Sequence, residues 1–249
     1  MINQIKAQAK ELRLPYISSQ IEEHIKQANL ENSSYEEFLT ILFDYELELR
    51  RNNSIKRRIK EACFPYEKYL DELNTEVLPE GLKPYFKTLN RLEFIRSKQN
   101  IILAGNPGTG KTHLSIGLGI KACIEGYRVY FAHVPNLIIE LKEAKNERIL
   151  NRLKRKFEKY DLIILDELGY ISFDREGAEL LFNFISTRSE VKSTIITTNL
   201  SFDRWNEIFH DPVITAAIVD RITHRSYVIN MNGNSYRIKE TKEFLMNNQ

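Results

Sequence analysis

The sequence predicts an α/β protein, a parallel sheet sandwiched between helices, preceded by a small all-α module. Three observations predict it. Short apolar runs (Asn100–Ala104, Arg128–Ala132, Leu162–Leu165 and Thr194–Thr197) suit strands buried on both faces. Segments of helical periodicity separate them, and that alternation implies parallel strands joined by helical crossovers. Residues 1–73, by contrast, hold no glycine and only two prolines, Pro15 and Pro65.

The elements follow in order. Ile2–Leu12 and Ile17–Ala28 read as helices split by Pro15, with Ser18 or Ser19 near the second start. Ser34-Tyr-Glu-Glu37 is a capping box opening a longer helix. That helix places Phe38, Leu42, Tyr45 and Leu49 on one side and continues through Ile55 and Ile59, with Asn52-Asn53 a candidate break. Leu78–Lys87, with two prolines and a glycine, reads as a linker or a loop-rich join, and Leu89–Arg96 as a short helix. After the first strand, His113–Glu125 is a helix stopped by Gly126, and Pro135–Leu141 and Asp174–Ser189 are further helices. Another starts after Pro212, and Tyr227–Ile238 reads as a hairpin turning at Asn232-Gly233. The organisation expected is a helical module over 1–73, a linker and lead-in helix over 74–98, and the α/β domain over 99–249.

The totals narrow the class. A chain of 249 residues with 42% hydrophobic content can pack a full core. Net charge is only +2, so any nucleic-acid contact must rest on local clusters. Cys63 and Cys123 lie far apart and are expected as buried free thiols of a reducing compartment. No apolar run approaches the ~18 residues of a membrane span, and the first residues lack a signal peptide's apolar centre. The expectation is a cytoplasmic protein without a membrane partner.

The chemistry concentrates at Gly105–Thr112, GNPGTGKT, which fits the phosphate-binding pattern G-x-x-x-x-G-K-[ST]. By chance those four specified residues coincide in roughly one chain in a hundred of this length. Strand, glycine loop and helix are what the chemistry requires. Gly105, Gly108 and Gly110 let the backbone approach a triphosphate, and the loop amides with the helix start form an anion nest. Residues Gly105, Asn106, Pro107, Gly108, Thr109 and Gly110 are therefore expected to bind nucleotide, with Lys111, Thr112 and His113 following. Lys111 should span the β- and γ-phosphates of ATP and the Thr112 hydroxyl should ligate Mg²⁺. The plainer alternative is a glycine-rich turn in an ordinary α/β domain.

Leu162-Ile-Ile-Leu-Asp166-Glu167 is an apolar strand ending in two acids. Asp166 can hold Mg²⁺ together with Thr112, and Glu167 can polarise a water for attack on the γ-phosphate. Asn199, ending the strand Thr194–Thr198, can orient that water or simply cap a turn. Arg221 can be an arginine finger reaching a neighbouring copy's γ-phosphate, or a surface residue paired with Asp220.

GNPGTGKTHL, LIILDELGY, STIITTNLSF and AAIVDRITHRS, in that order, resemble the IstB-like transposition helper ATPases of the AAA+ superfamily, relatives of the DnaC and DnaI helicase loaders and more distantly of DnaA. LRLP at Leu12–Pro15 and RRIKEACFP at Arg57–Pro65 extend the resemblance over essentially the whole chain. It implies that Lys111 and Thr112 are the Walker A pair, Asp166 and Glu167 the Walker B pair, Asn199 the sensor-1 residue and Arg221 the arginine finger. Only 249 − 221 = 28 residues follow Arg221, so a separate helical lid with its sensor-2 arginine is expected to be absent. Arg225 or Arg237 can substitute.

Two basic clusters remain. Arg50–Lys60 contains six bases and no acid, and Lys142–Lys159 eight bases against three acids. Such clusters bind DNA phosphates without reading sequence, or are solvated helix faces. The resemblance implies ATP-dependent, largely non-specific DNA binding by a homo-oligomer with ATP at its subunit interfaces. It favours Lys142, Lys145, Arg152, Lys154, Arg155 and Lys156 as DNA contacts. The resulting expectation is an ATP hydrolase that assembles on DNA and selects a target for a cognate transposase. The alternatives are a replicative helicase loader, a small-molecule P-loop kinase, and a nucleotide switch without hydrolysis.

Overall fold

The first residues build three helices, α1 (Ile2–Glu11), α2 (Pro15–Glu31) and α3 (Tyr35–Glu61). The computed structural model describes residues 1–73 and 78–247, without the side chains of residues 237, 239, 240, 242, 243 and 247. The chain divides into two compact units, Met1–Arg57 and Arg58–Gln249.

In the first unit, the capping box forms as its sequence demands. Ser34 N donates to Glu37 Oε2 (2.9 Å) and Glu37 N donates to Ser34 Oγ (3.2 Å). α2 starts differently from the expectation. Pro15 takes its first turn, while the Ser18 and Ser19 hydroxyls donate to the Lys6 and Tyr16 carbonyls. The orphan amides of that turn are satisfied from another helix, because Tyr16 N and Ile17 N donate to buried Glu46 Oε2 at 2.8 and 3.2 Å. Glu46 thus lies on the buried side of α3, and Tyr45 is exposed, stacked on Tyr16. α3 runs unbroken through Asn52-Asn53, since Asn costs a helix only about half a kcal/mol. Glu46→Ala removes both capping bonds from a buried carboxylate and is expected to cost about 2 kcal/mol, read as earlier loss of helical signal in urea.

In the second unit, β1 (Asn100–Ala104), β2 (Val129–His133), β3 (Leu162–Leu168), β4 (Ser193–Thr198) and β5 (Ser226–Asn230) form one sheet in the order β2-β3-β4-β1-β5. All neighbouring pairs are parallel. Burial on both faces explains the continuous apolar runs, with Ile101–Leu103, Leu162–Leu165, Ile195 and Ile196 fully enclosed.

Helices cover both faces. On one, α6 (Lys111–Ile124) packs Leu114, Leu118 and Ala122 against Ile101, Leu103 and Ile164. The same core takes in α4 (Lys83–Asn90) and α5 (Glu93–Arg96), with Leu82, Leu89 and Phe94 buried. Leu78–Lys87 is therefore no linker: Leu78 and Leu82 are core residues, and Pro84 sits in the first turn of a helix. Ala62 and Leu70 join this core too. Residues 74–77 lie outside the described residues.

The other face carries α7 (Val134–Asn146), α8 (Leu150–Glu158), α9 (Arg175–Arg188), α10 (Asn206–Phe209) and α11 (Pro212–Thr223). Leu137, Leu141, Leu181, Phe184 and Ile218 from these helices enclose Ile102, Ile163, Leu165 and Ile196. Asp174 caps α9 by accepting from Gly177 N, and Asp211 caps α11 by accepting from Val213 N and Ile214 N.

The expected hairpin at Tyr227–Ile238 does not form. β5 pairs in parallel with β1, and after Asn230 the chain turns into α12 (Tyr236–Asn247). Ser235 Oγ accepts from Ile238 N, so the Asn-Gly-Asn-Ser run serves as a helix entry instead of a strand reversal. Of the two cysteines, expected to be buried, one departs from expectation. Cys123 is buried, with burial pushing its thiol up to about 12, whereas Cys63 is exposed just after α3. Among the described residues, no helix is long and apolar enough to cross a membrane.

Candidate nucleotide site

The loop between β1 and α6 lies where the sheet's carboxyl edge opens, beside the strand ends of β3 and β4. Gly108 and Gly110 stand at φ +79° and +90°, backbone that side chains rarely adopt. Gly105 is needed for a different reason. A Cβ there would come within 2.5 Å of the Met231 carbonyl carbon.

The loop is held by the segment that follows β5. Asn106 N donates to Asn232 Oδ1 (3.0 Å), Tyr236 N donates to the Gly108 carbonyl (2.9 Å), and the Ser235 hydroxyl lies against Gly108. Buried Thr109 turns its hydroxyl onto the Asn106 carbonyl. Lys111 Nζ donates to the Gly105 and Asn106 carbonyls at 2.6 and 2.7 Å, which places the ammonium inside the curl of the loop. Pro107, Gly108, Gly110, Lys111, Thr112 and His113 form one wall of a cleft of about 440 Å³. Tyr66, Leu73, Tyr170 and Tyr236 supply apolar surface to it, and Glu167 and Thr197 close the far side. The volume falls in the range of small-molecule sites.

Asp166 ends the apolar part of β3 and is wholly buried. Its Oδ1 accepts from Thr112 Oγ1 (3.0 Å) and from Thr197 Oγ1 (2.6 Å), so the buried carboxylate is satisfied. Thr112 also approaches Oδ2, at 3.3 Å. Hydroxyl and carboxylate from two elements thus converge as hard oxygen donors, a set that fits a magnesium ion. The register shift between Leu165 and Leu168 then bulges the strand. Glu167 sits in this bulge at φ +64°, its amide donating to Thr197 Oγ1 (2.9 Å) and its side chain part-exposed over the cleft.

Two neighbours escaped the sequence reading. Thr197 bridges Asp166 and the Glu167 amide, and the signal was there as a hydroxyl interrupting an apolar strand beside an acid-ended one. His133, at the end of β2, is registered opposite Asp166. Its buried Nδ1 lies 3.5 Å from Glu167 Oε2 and 3.7 Å from Asp166 Oδ2, with no hydrogen bond among the described residues.

The remaining expected residues are farther out. Asn199 follows β4, with Thr197 and not Asn199 lining the cleft. Its buried Oδ1 has no hydrogen-bond partner among the described residues, and it crowds Gly169, where a Cβ would meet it at 3.3 Å. Arg221 is not part of its own chain's cleft. Its guanidinium lies over the Phe182 ring (4.7 Å) and donates to the Ala217 carbonyl, and it makes no ion pair with Asp220 among the described residues. Arg225 is exposed and away from the cleft, and the Arg237 side chain lies outside the described residues.

The basic cluster of 142–159 is split. Lys142 pairs with Asp174 and Lys145 with Glu176, both at 2.6 Å, and Lys156 approaches Glu140 at 3.4 Å. The Lys142 ammonium, followed by the Gly177 amide, holds the Asp174 carboxyl below its ordinary range. Arg152, Lys154 and Arg155 on α8 have no ion pair among the described residues, while Leu153 and Phe157 anchor the helix's other face in the core. In the earlier cluster, Arg58 donates to the Cys123 carbonyl (2.7 Å) and Arg50 to the Arg13 carbonyl (2.5 Å), so both serve the fold.

Comparison with known proteins agrees with this geometry. A family model described as IstB-like ATP binding protein matches residues 7–244. An insertion sequence IS21 protein of Pseudomonas aeruginosa, named for ATP binding, is 35% identical over 97% of this chain and 91% of its own length. An IS232 protein of Bacillus thuringiensis subsp. berliner, named likewise, is 39% identical over 83% of each chain. Among solved structures, DnaI matches with a TM-score of 0.57 at 20% identity, covering 66% of this chain and 90% of that one. AMPPCP-bound DnaA from Aquifex aeolicus matches at 0.56 and 21% identity, covering 74% and 56%. These structures share the AAA+ fold of a parallel sheet flanked by helices.

Proposed function

Since the chain belongs to the IstB-like ATP-binding protein family, we propose that it is a magnesium-dependent ATPase that assembles on DNA and presents a target to a partner transposase. The observation that carries the reading is the hydrogen bond from Thr112 to buried Asp166, with Glu167 beside them over the same cleft.

In this reading the loop amides and Lys111 hold the β- and γ-phosphates of ATP, and Thr112 and Asp166 hold Mg²⁺. Held there, the ion would supply neutralisation of phosphate charge. Glu167, oriented through its amide by Thr197, takes a proton from the attacking water. Asn199 contacts that water or the γ-phosphate from the end of β4. Arg221 acts on the nucleotide of the neighbouring copy. That Arg221 meets no acidic partner among the described residues and lies outside its own chain's cleft supports that role.

The insertion-sequence relatives support DNA and a transposase as the clients. On this chain, Arg152, Lys154 and Arg155 are the stronger candidates for phosphate contact, because Lys142, Lys145 and Lys156 already answer acids. The triple change of Arg152, Lys154 and Arg155 to Ala is expected to lower duplex affinity about tenfold or more and to reduce the salt slope by roughly 3. Fluorescence anisotropy across a salt series measures both, with phosphate release as the companion assay. An unchanged slope removes α8 from the DNA contact; absence of ATP-dependent DNA binding in the parent protein removes the reading as a whole.

A further inference from the structure

The amino edge of the sheet, opposite the nucleotide cleft, carries a concentration of charge that the site described above does not use. A pocket of about 400 Å³ opens there at the ends of α4, α5 and α6, lined by Lys87, Arg91, Arg96 and Lys121 against one carboxylate, Glu125. The local excess is 4 − 1 = 3, in a chain whose whole net charge is +2. These bases meet neutral acceptors more than acids. Lys121 has Glu125 one turn on, at ion-pair spacing, yet its ammonium donates to Asn90 Oδ1 (2.6 Å). Arg96 Nε donates to the Tyr127 hydroxyl (3.2 Å). Arg91 comes only within 3.9 Å of Glu93, both well exposed, a pair worth little. The negative ends of α4 and α6 offset part of the repulsion, so the cluster can form before any anion arrives.

We propose that this pocket holds the sugar–phosphate backbone of duplex DNA, as a second contact beside α8. It rests on the DNA reading above for the identity of the polyanion. Lys121 and Arg96 are anchored on different acceptors and do not converge on one point, which suits a row of phosphates better than a single anion. The positive surface also continues toward α8. Tyr127 is followed by Arg128, whose carbonyl accepts from Asp161 N and Leu162 N at 2.8 and 3.2 Å. Lys159, two residues before Asp161, ends α8. Asp161 itself is taken by Lys192 (2.6 Å), which leaves Arg128 and Lys159 without an ion pair among the described residues. Phosphates neutralised along this track release counterions without any base being read. Lys121 is ten residues along α6 from Lys111, about 15 Å, so the pocket is separate from the phosphate loop.

The full chain tests this with a duplex across a salt series. The triple change Lys87→Gln, Arg91→Gln and Arg96→Gln is expected to lower duplex affinity about tenfold or more and the salt slope by roughly 3. Helical signal and phosphate release without DNA should stay at the parent's level. Added to the α8 triple variant, it should lower the slope further. A parent that binds duplex while the pocket variant binds it equally well sinks the proposal and leaves the DNA reading standing; a parent that binds no duplex sinks both. Loss of poly-glutamate binding in the variant, with duplex affinity intact, gives the pocket to an acidic protein and also overturns it. Acetylation footprinting of the parent needs no variant. Duplex should slow modification of Lys87, and a Lys87 that reacts at the same rate with and without saturating duplex counts against the contact.

Discussion

Glu167→Gln is expected to keep ATP bound while lowering turnover by about 10²–10⁴-fold, the usual worth of a general base. Gln has nearly the same shape and keeps a hydrogen-bonding oxygen, so the bulge should survive. That bulge is set by the backbone: Glu167 stands at φ +64°, and its amide is fixed by Thr197. What disappears is the carboxylate's capacity to accept a proton. Asp166 should continue to hold Thr112, so nucleotide affinity, measured by titration with a fluorescent ATP analogue, should change little. Parent-level phosphate release from Glu167→Gln would assign the base elsewhere and leave Glu167 a bystander.

The second large effect concerns Arg221. Arg221→Ala is expected to cut turnover by about 10³–10⁵-fold, the range for arginine fingers, without weakening ATP binding, because the guanidinium is outside its own chain's cleft. Lys111→Ala should be inactive for the opposite reason, having lost its own phosphate contacts. Mixing the two inactive proteins is the informative experiment. An interface with its loop from the Arg221→Ala chain and its guanidinium from the Lys111→Ala chain is complete. In a head-to-tail assembly formed from equal amounts, roughly a quarter of interfaces are of that kind. Recovered turnover near that fraction supports a shared site, and none at all places Arg221 in a structural role against Phe182.

Much of this was legible beforehand, and the reasons are local. The glycine loop announces itself because phosphate binding requires particular residues at particular spacings. The strands announce themselves because burial on both faces leaves only apolar choices, as at Ile101–Leu103 and Leu162–Leu165. The sequence misleads where a partner distant in it decides the outcome. Asn232-Gly233 carries a hairpin's turn chemistry, yet β5 found its partner in β1, and the following residues became a helix. Leu78–Lys87 shows a linker's prolines and glycine, but Leu82 is buried under the sheet's helices. Glu46 lies within an ordinary-looking helix, and only the fold brings it to the start of α2. His133 and Thr197 belong to the same class, since cross-strand register alone sets them beside Asp166.

The seat of α12 on the glycine loop has a mechanical corollary. The Gly108 carbonyl is tied to the first residue of that helix, and the Asn106 amide to Asn232, four residues before it. A shift of the loop must drag the helix along or snap those ties. A rod of 12 residues, about 18 Å long, pivoting at one end, turns a small displacement at its base into a larger swing at its tip. The tip of α12 is thereby geared to the phosphate cradle, like a needle on a dial.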